Sequence, residues 1–126
     1  GVVRGLHFQT GVHGQTKLVR VVKGSALDVV VDLRKGSPSF GKSFSIVLSG
    51  ENKKQLFVPH GFAHGFSVLE DDTVFSYKCD AYYNKESERG IVYNDATLAI
   101  DWHLSSNAMI VSKKDLELPT FLEITK

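Results

Sequence analysis

The 126 residues, 42% hydrophobic and 23% charged, suit one globular domain with a single core. The 15 basic and 14 acidic side chains nearly cancel, which argues against a nucleic-acid or membrane-surface partner and leaves room for a small polar ligand. No apolar run approaches the roughly 20 residues of a bilayer span and no charged-then-apolar leader precedes the first motif. The lone Cys79 can form no internal disulfide, so the expectation is a soluble chain of the cytoplasm.

Turn-forming residues punctuate the chain at short intervals, and the segments between them are too short and too β-branched for ordinary helices. The chain begins at Gly1 without an initiator Met and enters a dense motif at once, which creates the expectation of an absent preceding segment. Lys17 to Lys23 is a valine-rich strand. After the Gly24-Ser25 turn, Ala26 to Arg34 alternates Leu27, Val29, Val31 and Leu33 with Asp28, Val30, Asp32 and Arg34, giving one apolar face and one that carries charge. The pattern leaves open whether that charge lines a cavity or faces water. A turn at 35–39 leads to a strand at Ser43 to Ser49 in which Phe44, Ile46 and Leu48 share a face. Gln55 to Val58, Phe62 to Leu69, Thr73 to Cys79 and Ile91 to Tyr93 complete about seven or eight strands. With no helical period able to cover a parallel sheet, these strands predict an all-β protein, an antiparallel jelly-roll barrel of the cupin kind. One helical turn is predicted, with Ser112 capping Lys113 to Leu116 before Pro119. Residues 1–126 read as one domain without repeats or linkers.

Five histidines invite a search for chemistry, and His7, His60 and His64 sit among glycines and aromatics where a ligand could approach closely, unlike His13 and His103. A metal site is disfavoured, because there is no His-x-His or His-x-x-x-His pair on a helix; His60 and His64 are four apart but flanked by Pro59 and two glycines. Cys79 lacks a nucleophile motif, no Gly-x-Ser-x-Gly elbow is present, and Gly11, Gly14 and Lys17 do not have P-loop spacing. What remains is a general acid–base set spread over different strands: His7, Lys17, His64, Tyr77 and Asp115. On pattern alone Tyr77 reads as a core or interface aromatic. Arg4, Lys17 and Arg20 read equally well as a solvated strand edge, and Tyr82 and Tyr83 carry no argued role.

The segments Gly1-Val-Val-Arg-Gly-Leu-His-Phe-Gln9, Lys17-Leu-Val-Arg-Val-Val22, Asp28-Val-Val-Val-Asp-Leu-Arg34, Ser37-Pro-Ser-Phe-Gly41, Val58-Pro-His-Gly-Phe-Ala-His-Gly-Phe66, Tyr77-Lys78, Glu88-Arg-Gly-Ile91 and Asn94-Asp95 resemble, in order and spacing, the dTDP-4-dehydrorhamnose 3,5-epimerase family. Pro59-x-Gly-x-x-His64 alone is a general cupin signature, and Arg4-Gly-Leu-His7 with Glu88-Arg-Gly makes the match specific. The resemblance implies 3,5-epimerisation of dTDP-4-dehydro-6-deoxy-D-glucose to dTDP-4-dehydro-L-rhamnose in dTDP-rhamnose biosynthesis, without a cofactor or metal. It implies His7 as base, Asp115 as the acid that orients it, Tyr77 as proton donor and Lys17 beside the C4 oxygen. Arg4, Lys17, His64, Glu88 and Lys114 would contact the nucleotide-sugar substrate, with Arg4 and Lys114 suited to its diphosphate. It further implies a homodimer formed by sheet extension, and an amino-terminal family segment with no counterpart here. Alternatives are a single-carbon epimerase of a related nucleotide 4-ketosugar, a non-catalytic sugar-binding cupin, and a metal-dependent cupin oxygenase or isomerase, the last disfavoured by the missing ligand pair.

Overall fold

A computed structural model describes residues 1–11 and 14–125. Its strand β3 (Ser25–Asp32) is buried from Ala26 to Asp32, although every second residue of the predicted strand was read as a polar or charged face. The reason is that its sheet is covered on both sides. Leu27, Val29 and Val31 pack with Val3, Ala63, Ile91, Trp102 and Phe121 beneath the carboxyl-terminal third of the chain. Ala26 and Val30 pack with Val19, Val21, Leu48 and Val58 between two facing sheets. The charged face therefore lines the interior, and Asp28 and Asp32 are 0% and 1% exposed.

Among the described residues there are nine strands: β1 (Val2–Gln9), β2 (Lys17–Lys23), β3, β4 (Ser43–Ser49), β5 (Gln55–Val58), β6 (Phe62–Val68), β7 (Val74–Cys79), β8 (Glu88–Gly90) and β9 (Ile110–Val111). One sheet runs β4-β3-β6-β1-β8, and a three-stranded sheet β5-β2-β7 faces it. Strand pairing is antiparallel throughout except that β9 adds to β1 in parallel, a departure from the expected pattern made by the returning carboxyl-terminal chain. This is the expected jelly-roll architecture with three local corrections. The motif at 1–9 is itself a full strand. The strand expected at Ile91 to Tyr93 lies just before that segment, at β8, while Ile91 exchanges two backbone hydrogen bonds with Leu6 as the chain leaves the sheet. Phe44, placed on an apolar face with Ile46 and Leu48, is 53% exposed because β4 is an outer strand.

The predicted turn is helix α1 (Lys113–Leu116), and Ser112 caps it by accepting the Asp115 N–H. A second short helix, α2 (Phe121–Ile124), follows Pro119, where the sequence reading had the helix stop; Thr120 and Glu123 form a capping box at its start. The buried Phe121 anchors this turn, and its N–H donates to the buried carboxylate of Asp95 at 2.7 Å. No helix among the described residues is long and apolar enough to cross a membrane.

Asp32 closes the end of β3. It accepts from the Arg34 side chain and backbone and from the Ser37 and Ser39 hydroxyls. The Arg34 side chain does most to hold its carboxyl well below the usual carboxylate range, against the opposing effect of burial. A carboxylate depressed in the folded state stabilises the fold above its unfolded value near 3.8 and loses that contribution as pH falls through the folded value. Asp32→Asn is expected to cost on the order of 2 kcal/mol at neutral pH. In urea melts, the gap to the parent protein should stay constant through neutral pH and narrow on acidification below about 3.8.

Candidate active site

Residues of both sheets line a cavity of about 750 Å³, within the usual range for small-ligand sites. Strand alternation sends Lys17, Val19 and Val21 of β2 inward, so Lys17 ends a row whose other members are core valines. On β7 the inward row is Phe75, Tyr77 and Cys79, all on the cavity wall. Tyr77 is thus a cavity residue, 56% exposed, and not part of the packed core.

Strand β1 does not follow simple alternation. Its register against β6 shifts between Arg4 and His7, so both side chains, three residues apart, reach the cavity while Val3 and Leu6 enter the core behind. Gly5 sits inside this irregularity with φ of 113°, and a Cβ there would lie 2.7 Å from the Gly65 Cα. Backbone conformation and close approach both require glycine at this point.

His7 and His64 are direct cross-strand partners, and each has its own carboxylate. His7 Nε2 lies 2.8 Å from Asp115 Oδ1, and His64 Nε2 lies 2.7 Å from Asp28 Oδ1. An ionised carboxylate only accepts, so in each neutral ring Nε2 carries the hydrogen and Nδ1 keeps the lone pair. Asp115, 2% exposed, also accepts the Gly5 N–H through Oδ2 at 3.0 Å. The sequence reading had no role for Asp28; the available signal was a carboxylate in the middle of a valine strand.

Glu88 enters from β8, opposite Gln9. Its Oε1 is 3.4 Å from His7 Nδ1, near enough for an ion pair with a protonated ring but not aligned as a hydrogen bond. Its Oε2 accepts from the Tyr83 hydroxyl and, at 3.1 Å, from the Lys114 ammonium. Burial would raise the Glu88 carboxyl, but these two donors outweigh it and hold the group below its ordinary value, while Glu88 in turn raises Tyr83 and Lys114. Tyr83 is therefore a site residue that the sequence reading passed over. Lys114, expected near a diphosphate, is 65% exposed on α1 and reaches the site through Glu88. Arg4 is exposed on the cavity wall.

Lys17 is the cation of the interior. Burial pushes its ammonium below the ordinary value of 10.5, opposed by the nearby carboxylates of Asp28 and Glu88. Its Nζ lies 5.9 Å from the Tyr77 ring centroid, and Phe75 stacks on Phe66 at 4.3 Å to make the apolar wall beside it. His60 stands apart, 57% exposed and paired with Asp80 at 3.3 Å, so it does not converge with His64. His103 is exposed, and His13 lies outside the described residues. Among the described residues, no three His, Cys, Asp or Glu side chains are grouped to hold a metal ion. The arrangement can take a proton at His7, supply one at Tyr77 on the facing sheet, and place positive charge between them.

Comparison with known proteins identifies the family. The family model described as dTDP-4-dehydrorhamnose 3,5-epimerase matches residues 1–123. The dTDP-4-dehydrorhamnose 3,5-epimerase of Escherichia coli K12 is 50% identical over 125 residues, 99% of this chain and 67% of that protein. The crystal structure of the corresponding protein from Elizabethkingia anophelis superposes with a TM-score of 0.96 at 54% identity, covering 98% of this chain and 67% of that one. The Legionella pneumophila dTDP-6-deoxy-D-glucose-3,5-epimerase, solved in complex with dTDP-4-keto-L-rhamnose, gives a TM-score of 0.90 at 50% identity, over 95% of this chain and 63% of that one. The chain thus spans about two thirds of the length of these relatives. It belongs to the dTDP-4-dehydrorhamnose 3,5-epimerase family.

Proposed function

We propose that this chain is the catalytic domain of a cofactor-independent isomerase that inverts C3 and C5 of dTDP-4-dehydro-6-deoxy-D-glucose, yielding dTDP-4-dehydro-L-rhamnose. The observation that carries the reading is the placement of His7 and Tyr77 on opposing sheets, with the cavity between them. A sugar ring held there has a base on one face and an acid on the other, which is what inversion at carbon requires.

The protons at C3 and C5 are acidic because the C4 ketone takes up the electron pair as an enolate. His7 Nδ1 accepts the proton, the C–H electron pair becomes the enolate π bond, and negative charge gathers on the C4 oxygen. Asp115 stabilises the imidazolium so formed through Nε2. Lys17 meets the enolate oxygen with positive charge, a contact worth about a few kcal/mol by general experience. Tyr77 then protonates the carbon from the far side. His64, its Nε2–H given to Asp28, offers Nδ1 as an acceptor for a sugar hydroxyl. Arg4 and Lys114 supply positive charge at the cavity wall and beside Glu88 for the diphosphate.

Pairing of two copies by sheet extension is consistent with β4, an outer strand of seven residues with no charged side chain, and is checked by sedimentation. The single, unpaired Cys79 fits a reducing compartment such as the cytoplasm.

The test is proton NMR of dTDP-4-keto-6-deoxyglucose in deuterated water. Loss of both the C3 and C5 signals with formation of the L-lyxo product is expected; loss of one signal identifies a single-carbon epimerase, and loss of neither a binding protein. His7→Ala should slow exchange at both carbons by roughly 10²- to 10⁴-fold, whereas Tyr77→Phe should keep exchange and lose productive inversion. Intact exchange in the His7 variant would falsify the assignment of the base. For Lys17, carbon NMR of ε-labelled lysines should show its resonance, identified by loss in Lys17→Arg, titrating below 10.5, in the opposite direction from Lys114, which Glu88 raises.

A further inference from the structure

Both imidazole nitrogens of His7 face carboxylates, at 2.8 Å from Asp115 and 3.4 Å from Glu88. The two carboxylates are held very differently. Asp115 is buried and tied to backbone, since Oδ2 accepts the Gly5 N–H and its own N–H donates to the capping Ser112 hydroxyl. Glu88 is tied through Oε2 to two side chains that stand mostly in solvent, Tyr83 at 58% and Lys114 at 65% exposed.

The lone pair needed for proton abstraction is on Nδ1. That atom is sealed from water and has no hydrogen-bond partner among the described residues. A base atom so covered does not meet a carbon-bound proton until one neighbour moves. Asp115 holds the other nitrogen, Nε2, so Glu88, the carboxylate beside Nδ1, is the neighbour that has to yield. Its contact with the neutral ring sets a carboxylate oxygen against a lone pair, which is repulsive in a site of low dielectric. The contact persists because Lys114 and Tyr83 hold the carboxylate in place. A diphosphate carries more charge than a carboxylate and offers more acceptor oxygens, so it competes directly for the Lys114 ammonium.

We propose that Glu88 is a positioning residue that covers His7 Nδ1 in the free protein and uncovers it when the anionic end of the ligand takes Lys114. The proposal rests on the proton-transfer reading above and adds a coupling to it. Binding of the charged end, remote from the reacting carbons, releases the base. A neutral sugar without the diphosphate would meet a covered Nδ1, so the ligand's anionic portion contributes to rate as well as to affinity.

The experiment follows the two ring nitrogens of His7 by ¹⁵N NMR in imidazole-labelled protein during titration with inorganic pyrophosphate. Glu88→Ala supplies the reference for an uncovered ring, and Glu88→Ser, whose side chain also ends short of His7, is the second reference should the alanine variant not fold. Pyrophosphate is expected to move the Nδ1 resonance toward the reference position and leave Nε2 on Asp115. Lys114→Met is expected to show the moved position without pyrophosphate. An Nδ1 resonance that stays in place at saturating pyrophosphate, or a Lys114→Met spectrum identical to that of the parent, overturns the proposal. Solvent-deuterium exchange into dTDP-4-keto-6-deoxyglucose by the parent protein, run alongside, reports separately on the proton-transfer reading. A responsive Nδ1 with no exchange removes that reading, and exchange with an unresponsive Nδ1 removes the coupling.

Discussion

A carboxylate buried to 2% exposure must have its charge and its lone pairs satisfied, and the way Asp115 meets that requirement organises the site. One oxygen accepts the Gly5 N–H and the other faces His7 Nε2, so a residue of helix α1 is clamped to β1 across 110 positions of sequence. The clamp needs the irregular register of β1, which turns the Gly5 N–H out of the sheet ladder and brings His7 round to the cavity. It also needs α1 in place, which the Ser112 cap secures. Removing the carboxylate would leave a buried donor and an unoriented imidazole together, so folding and chemistry here share one interaction.

The interior is a balance of opposite charges around a small space. Asp28 and Asp115 each pair with a histidine, Glu88 pairs with Lys114 and Tyr83, and Lys17 stands among them as a cation weakened by burial. None of these side chains is neutralised so completely that it is inert. Lys17 keeps its ammonium free of any ion pair within 4 Å among the described residues, which leaves it available to charge that develops on a bound ligand. The cost of holding such groups out of water is met by the double covering of the larger sheet, where apolar clusters lie on both of its faces.

Much of the architecture was legible from pattern. The valine-rich runs of β2 and β3, the turns between them and the Ser112 cap follow from local chemistry, and the structure has them where they were expected. Three features were not legible. Period-2 alternation puts Arg4 and His7 on opposite faces, and only the register shift against β6 unites them. Alternation also says that Asp28 and Asp32 share a face without saying what that face meets, because the answer depends on the partner sheet and on the chain that wraps the other side. Tyr83 gave no signal at all, since its role is set by Glu88, five residues away and across a short helical turn of residues 85–87.

By itself, then, the sequence determined the strands β2 to β7, the turns between them, and, through its resemblance to a known family, which side chains to examine. Pairing order, register and burial were decided by tertiary structure, because they arise from contacts between residues far apart in the chain, such as Asp115 with Gly5 and Asp28 with His64. Local propensity is summed over neighbours and carries no information about such contacts. The setting of His7, an imidazole with a carboxylate beside each ring nitrogen, belongs entirely to that second level, since distance and burial set the strength of a charge interaction.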